Sequence, residues 1–280
     1  MKKLIALFYI LLLSCDTGDM KVIADLPRSL NEASGIEKTN HSDLLWMIND
    51  GGNKPILYGL DTLGIIKKQI KIDAKNRDWE DLATDENGNI YIGDFGNNDN
   101  DSKHLSILII SESDIDTAMT ITPKRISFTY PEQKKFPPKK KKRHFDCEAF
   151  FHYNDSLYLF TKSRSPSDKG RTNLYQIPAK PGKYKAKYIS SFSTCNDSGC
   201  WVTSADINDK KDQIVLLTEH SAFIFSNFKG NDFLNGDLKQ IKFNHRSQKE
   251  SIIFKNDSTL LITDEYLGVN GGNLYQFDIY

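Results

Sequence analysis

Four glutamates stand at comparable places along this 280-residue chain: Glu32, Glu80, Glu148 and Glu250, each opening a short, largely apolar run. Thr203 holds the matching place in a fifth copy, Thr203-Ser204-Ala205-Asp206. Fourteen to eighteen residues after each of these positions a second apolar run ends in polar or charged residues. These ends carry Asn49, Asp50, Asp94, Lys162, Glu219, Asp264 and Glu265. Carboxylates gathered in a partly buried place raise one another's pKa unless protons, cations or basic groups neutralise them. Lys162 is the internal cation of the set, and Arg77 and Arg246, each shortly before a repeat start, are further candidates. Three chemistries suit such a group. A hard, oxygen-ligated cation such as Ca²⁺ is satisfied by Glu, Asp and Asn without His or Cys. Alternatively, each carboxylate accepts backbone N–H bonds from a neighbouring segment and locks the fold, a reading that recurrence favours. In the third, one carboxylate of raised pKa serves as acid or base on a bound substrate, a role that needs only one copy.

The elements that must position these residues are short strands. The repeat starts at 32, 80, 148, 203 and 250 are separated by 48, 68, 55 and 47 residues. A period near fifty built of short apolar strands is the pattern of an all-β propeller, whose blades are four-stranded sheets around a channel. Third strands fall at Ile56-Leu57-Tyr58-Gly59-Leu60, 105–110, Asn173-Leu174-Tyr175-Gln176-Ile177, Ala222-Phe223-Ile224-Phe225 and Asn273-Leu274-Tyr275-Gln276-Phe277. More polar fourth strands fall at 65–70, 125–130, 185–192 and 238–243, as suits solvated outer edges. The fifth repeat has no room for its own fourth strand. Residues 21–26 are spare, so the expectation is five blades, with the N-terminal strand closing the ring onto the C-terminal blade. A sixth blade within residues 111–145 is the alternative. The first strand of each blade lines the channel, which sends Glu32, Glu80, Glu148 and Glu250 toward the axis.

Loops after the second strands are rich in Gly, Asn and Asp: Asp50-Gly51-Gly52-Asn53, the stretch from Asp94 to Asp101, and Gly268-Val269-Asn270-Gly271-Gly272-Asn273. That composition suits tight turns by itself, and equally forms a ligand-facing loop surface. None matches the spacing of an EF-hand loop. The six histidines show no metal-ligand spacing, and no P-loop, G-x-S-x-G elbow or H-E-x-x-H is present. The excess length of the second repeat holds Lys134, Lys135, Pro137, Pro138, Lys139, Lys140, Lys141, Lys142 and Arg143, an exposed insertion or a contact for phosphate, polysaccharide or lipid headgroups.

Two lysines, an apolar run over 4–13 and Ser14-Cys15 open the chain. The run is short of the about 20 apolar residues that span a bilayer, so residues 1–14 read as a signal peptide. Residues 15–20 are then a short tether and 21–280 the propeller. Basic and acidic residues number 37 each, so no overall field draws the chain to nucleic acid, and no nucleic-acid partner is expected. Cys195 and Cys200 bracket a turn-rich loop, and a disulfide there suits an exported protein. Cys147 reads as a buried free thiol.

Leu12-Leu13-Ser14-Cys15 resembles the lipobox of bacterial lipoproteins, which implies cleavage before Cys15, its acylation, and a lipid-anchored place in the cell envelope. Asp78-Trp79-Glu80-Asp81-Leu82-Ala83 and Gly93-Asp94-Phe95-Gly96-Asn97-Asn98, with Glu32-Ala33-Ser34-Gly35-Ile36 and Asp146-Cys147-Glu148-Ala149, resemble secreted bacterial propeller lipoproteins of uncharacterised function. In general form these are similar to the SdiA-regulated and TolB-like propellers, and more distantly to gluconolactonase-like and phytase-like ones. The gluconolactonase-like likeness implies a divalent cation at the channel mouth, for which Glu32, Asn49 and Asp94 are the matching residues. The reading that follows is a monomeric, membrane-anchored propeller. It binds a small molecule or an envelope protein at its Asp/Asn-rich loop face, with Ca²⁺ at the acidic channel. The alternative is a metal-dependent hydrolase of a lactone, phosphoester or similar small ester. Candidate channel and ligand residues are Glu32, Asn49, Asp50, Glu80, Asp94, Glu148, Lys162, Glu219, Glu250 and Glu265.

Overall fold

The computed structural model describes residues 17–195 and 197–279. The lipobox and Cys15 lie outside the described residues. Short apolar strands joined by Asp-, Asn- and Gly-bearing turns pair with their sequence neighbours into five antiparallel meanders, which form a five-bladed β-propeller. Blade one comprises Ala33–Thr39, Ser42–Asn49, Ile56–Leu60 and Ile66–Ile72. Blade two comprises Trp79–Thr84, Ile90–Asp94, Leu105–Ile110 and Lys124–Thr129. Blade three holds Asp146–Tyr153, Ser156–Lys162, Arg171–Pro178 and Lys187–Ser193, and blade four Ser204–Ile207, Gln213–Leu217, Ser221–Ser226 and Asp237–Lys242. Blade five takes Lys249–Asn256, Thr259–Asp264 and Asn273–Asp278 from the C-terminal end, and Lys21–Asp25 completes it on the outside. Lys21 faces Gln276 and Asp25 faces Asn273 in that pairing, so the ring closes as expected.

Among the described residues no sixth blade forms within 111–145. Pro131 begins a stretch that is polar and proline-broken, and the segment instead supplies a helical turn at Glu112–Ile115, a two-residue strand Thr120–Ile121 and the outer strand of blade two. Thr120–Ile121 adds in parallel to the outer edge of blade one, and Gly182–Lys185 does the same to blade two. Both cover edges that otherwise present unpaired N–H and C=O groups.

Strand alternation sends one set of side chains to each neighbouring blade, so the core is divided into five clusters, one per inter-blade seam. Trp46, Trp79 and Ile92 fill the seam of blades one and two. Phe95, Phe150 and Tyr175 fill that of two and three, and Phe151, Phe160 and Phe233 that of three and four. Ile224 and Tyr275 join blade four to five, and Met47 and Leu274 join five to one. Cys147 is a buried free thiol within the second of these seams. A Cys195–Cys200 disulfide pins the connection from blade three to blade four, with Cα atoms 5.4 Å apart.

Candidate functional site

The innermost strands of blades one, two, three and five all carry a β-bulge near their start. The ladder slips between Trp79 and Leu82, between Cys147 and Ala149, and between Lys249 and Ser251. Glu148 and Glu250 are therefore the extra residues, and Glu80 shares the bulge with Asp81. A bulge leaves its residue out of the ladder and re-aims the side chain, here toward the axis at one mouth of the channel. In blade one the slip lies between Ala33 and Gly35, which makes Ser34 the structural counterpart of the glutamates. Glu32 precedes that strand, is exposed, and accepts a hydrogen bond from Asn53 Nδ2 at 2.5 Å. The expected quartet is thus a trio, Glu80, Glu148 and Glu250, with Glu32 on the rim. Blade four has no bulge: Thr203 Oγ1 donates to the Lys249 carbonyl at 2.8 Å and ties blade four to blade five.

Blade three supplies the positive charge of this mouth. Lys162 Nζ lies 3.0 Å from Glu148 Oε2, while Arg164 reaches Asp146 Oδ2 at 2.5 Å and Glu148 Oε1 at 3.2 Å. Trp201 packs over both cations, 5.3 Å from Lys162 Nζ and 5.0 Å from the Arg164 guanidinium carbon, and its indole N–H donates to the Ser163 carbonyl. Burial works against the Glu148 anion, but Lys162 and Arg164 outweigh it and hold that carboxyl below its usual range. Burial also works against the Lys162 ammonium, and Glu148 and Glu250 more than restore it.

Two cations do not neutralise the remaining carboxylates. Burial, then Asp50 and Glu148, push Asp78 up to about 7. Burial raises Glu250 to about 8 against the pull of Lys162, with Glu265 and Glu148 adding to the rise. Glu265 rises to about 7 through burial and the charges of Asp50 and Glu32. Asp50 and Glu80 are raised as well, burial first in both, with Glu148 the leading charge on each.

Within this basin, oxygens of Asp50, Asp78 and Glu80 come within 4.8 Å of one another. Asn76 makes this meeting: its Nδ2 donates to the carbonyls of Asn49 and Asp50, and its Oδ1 accepts from Trp79 N–H. That clamp lays the link between blades one and two, including Asp78, against the end of blade one. Glycines leave the space beside these oxygens: a Cβ at Gly96 would collide with the Glu80 and Asp78 carboxylates, and one at Gly51 with Asp78. An all-oxygen cluster in a glycine-lined hollow, carrying more negative charge than its surroundings neutralise, fits Ca²⁺ or a similar hard cation.

The ligand trio expected from the sequence, Glu32, Asn49 and Asp94, is not the set that converges. Asn49 turns its amide to the Ser29 carbonyl at 2.7 Å. Asp94, fully buried, lies 3.4 Å from Arg77 and 3.5 Å from Arg125, and accepts from the Ser106 hydroxyl at 3.1 Å. Arg77 is consequently engaged with Asp94 and is not the second cation of the mouth; Arg164 is. Glu219 sits half-buried at the end of blade four, and its carbonyl accepts from Lys249 Nζ at 3.2 Å. Lys249 was not among the expected residues. It is fully buried, donates also to the His245 carbonyl and Ser247 Oγ, and burial lowers its ammonium to about 8.

The loop from Asp94 to Asp101 proves structural. Asn97 donates to the Phe145 carbonyl, its backbone N–H goes to Asp146, and Asn100 Oδ1 accepts from Phe145 N–H. Gln133 closes the set by donating to the Asn100 carbonyl. These asparagines fasten the basic insertion to blade two. A sequence signal for the missed residues existed in the Asp-x-Glu pairs Asp78/Glu80 and Asp146/Glu148 and in Lys162-Ser163-Arg164, since positions i and i+2 of extended chain face one way.

Below the mouth the channel is bridged. Asp81, 1% exposed, accepts from Leu82 N–H and Phe150 N–H and from the Ser204 hydroxyl, which reaches it across the axis from blade four. Ser204 Oγ in turn accepts from Ile252 N–H, and Ser251 Oγ accepts from Ile36 N–H. At the far end Asp206 accepts from Ile207 and Phe254 N–H, each at 2.7 Å.

No family model matches this chain, and no curated protein does. Solved structures that resemble it include a catalytically inactive virginiamycin B lyase from Staphylococcus aureus with quinupristin, at 11% identity and a TM-score of 0.45, covering 91% of this chain and 69% of that one. A gluconolactonase from Xanthomonas campestris resembles it at 12% identity and a TM-score of 0.49, over 89% and 72% of the two chains. Hydrazine synthase of Kuenenia stuttgartiensis does so at 11% identity and a TM-score of 0.43, over 86% and 58%. Likeness at this level concerns architecture and says nothing of chemistry.

Proposed function

We propose that this chain is a monomeric, lipid-anchored propeller of the bacterial cell envelope that binds a small molecule or an envelope protein at its acidic mouth, with Ca²⁺ held by Asp50, Asp78 and Glu80. The observation that carries the reading is the approach of those oxygens within 4.8 Å, from two different blades. Bound Ca²⁺ would supply the positive charge that Lys162 and Arg164 do not, and leave coordination positions facing the basin for a ligand oxygen. The rim beside it offers apolar contact: Tyr266, Leu267 and Val269 of the blade-five loop are exposed, Val269 at 90%. Thioflavin-free melting of the full chain in detergent, first with EDTA and then with Ca²⁺, tests the site. A rise in Tm that grows with Ca²⁺ concentration is expected, and loss of that rise in Asp78→Asn. An unchanged Tm at millimolar Ca²⁺ defeats the reading. The anchor rests on the lipobox resemblance alone, and incorporation of labelled fatty acid into the chain but not into Cys15→Ser tests it.

A second reading, hydrolysis of a lactone, phosphoester or similar small ester, is favoured by Glu265 at about 7 and Glu250 at about 8. Groups that exchange protons near neutrality beside a cation are suited to acid–base work. Turnover of small esters that disappears in Glu250→Gln while Ca²⁺ binding persists would select this reading over binding alone.

A further inference from the structure

The flank of blade two departs from the four-stranded plan and gathers positive charge. Gly182–Lys185 leaves blade three to pair in parallel with Lys124–Thr129, with Ser127 opposite Lys183 and Thr129 opposite Lys185. Opposed residues of paired strands share a face. Ile126 and Phe128 point into the seam with blade three, and Tyr184 packs against the same cluster. Arg125, Ser127, Thr129, Lys183 and Lys185 therefore occupy the other face. Lys103 and Arg77 close this face into a cavity of about 490 Å³.

Five cations thus line one hollow in a chain whose formal net charge is zero. Only Asp94 opposes them among the described residues, and it stands behind the wall, fully buried, 3.4 Å from Arg77 and 3.5 Å from Arg125. Arg125 also donates to Ser106 Oγ at 2.5 Å, which donates on to Asp94. Both guanidinium groups are held from within and stay open outward, with 53% and 36% of their side chains exposed. Lys103, Lys183 and Lys185 form no ion pair with any described residue, Lys103 lying instead over the Phe136 ring. Converging like charges are unfavourable until an anion neutralises them.

We infer that this flank cavity binds a small phosphate ester. A tetrahedral dianion accepts from two oriented guanidiniums and from lysines arriving along other directions, which a planar carboxylate does less well. The Ser127 and Thr129 hydroxyls are placed for the polar remainder of a sugar-sized ligand, and the volume suits one. The site is separate from the acidic mouth and does not depend on the reading given above.

Calorimetric titration of the full chain in detergent with glucose 6-phosphate, and with glucose as the neutral control, tests this. Binding of the ester but not of glucose is expected. Lys183→Gln with Lys185→Gln should weaken it at least about tenfold, and Arg125→Gln by a similar factor, as loss of charge-assisted contacts does. Lys139→Gln with Lys141→Gln in the basic insertion should leave affinity unchanged. Three results would each overturn the inference: no binding of the ester, equal affinity after the Lys183/Lys185 change, or an equal loss from the basic-insertion pair. Binding confined to phosphatidylglycerol vesicles would also overturn it, since the occupant would then be a membrane surface.

Discussion

Two sets of buried carboxylates on the innermost strands, adjacent in sequence at Glu80 and Asp81, behave oppositely. Asp81 and Asp206, in the middle and at the far end of the channel, accept backbone N–H groups from the next blade: Phe150 gives to Asp81 and Phe254 to Asp206. Glu80, Glu148 and Glu250, at the mouth, receive none of these from the described residues. Glu148 is answered by side-chain cations, and Glu80 is left among other acids. Locking the ring therefore falls to the residue following the glutamate in blade two, with Ser204 and Ser251 serving in blades four and five. The glutamates, carried on bulges, are free of that duty. A recurring acidic residue is structural where backbone donors meet it and available for a ligand where they do not.

The contrast is most severely tested at Asp81. Asp81→Ala would leave the Leu82 and Phe150 N–H groups and the Ser204 hydroxyl without their acceptor in the interior, at a cost of about 3 kcal/mol or more, read from the urea midpoint. A variant as stable as the parent would dissolve the distinction. Arg164→Met comes next. Removing one cation leaves Asp146 and Glu148 under-compensated, and about 3 kcal/mol should be lost near neutral pH, with much of it recovered in acid as the carboxyls protonate. Conversely, Glu80→Gln in EDTA should stabilise the protein by about 1 kcal/mol, because it removes repulsion and breaks no backbone contact. A loss comparable to that of Asp81→Ala would show that Glu80 is a lock after all.

The same contrast carries a pH dependence. Asp78, Glu250 and Glu265 titrate at about 7 to 8 when folded, above their ordinary range. The folded state therefore holds more protons than the unfolded chain between about pH 4 and 8, so their contribution to stability is greatest in acid and declines as pH rises through that window. Tm in EDTA should fall steadily over this range, and Ca²⁺ bound at the mouth should flatten the fall. A rise in Tm with pH in EDTA would contradict the excess of carboxylate there.

Much of the fold was legible because strand periodicity and turn residues are local properties. The five repeats, their third and fourth strands and the spare strand at 21–26 could all be read off the chain, and Lys21–Asp25 does pair with Asn273–Asp278. The site was legible in part. Glu80, Glu148, Glu250 and Lys162 meet as their repeat positions imply, whereas Glu32 stays on the rim because Ser34, two residues further on, holds the bulge position in blade one. Asp94 and Asn49 looked like ligands by type and place, yet each is engaged elsewhere by groups distant in sequence, Arg125 and Ser29. Asp78 and Arg164 each stand two residues from an expected residue, Glu80 and Lys162, but their importance lies in what they face.

The amino-acid sequence by itself determined the number of blades, the closure of the ring and the concentration of acid near the axis, since hydrophobic alternation and repeat length encode these residue by residue. Only the tertiary structure decided which acids are locks and which stand open, and that a hollow on the flank of blade two gathers Arg77, Lys103, Arg125, Lys183 and Lys185. Those outcomes depend on single-residue bulges and on donors brought from other blades. Neither leaves a local mark in the chain, because a carboxylate's state is set by the charges and N–H groups that the folded ring places around it.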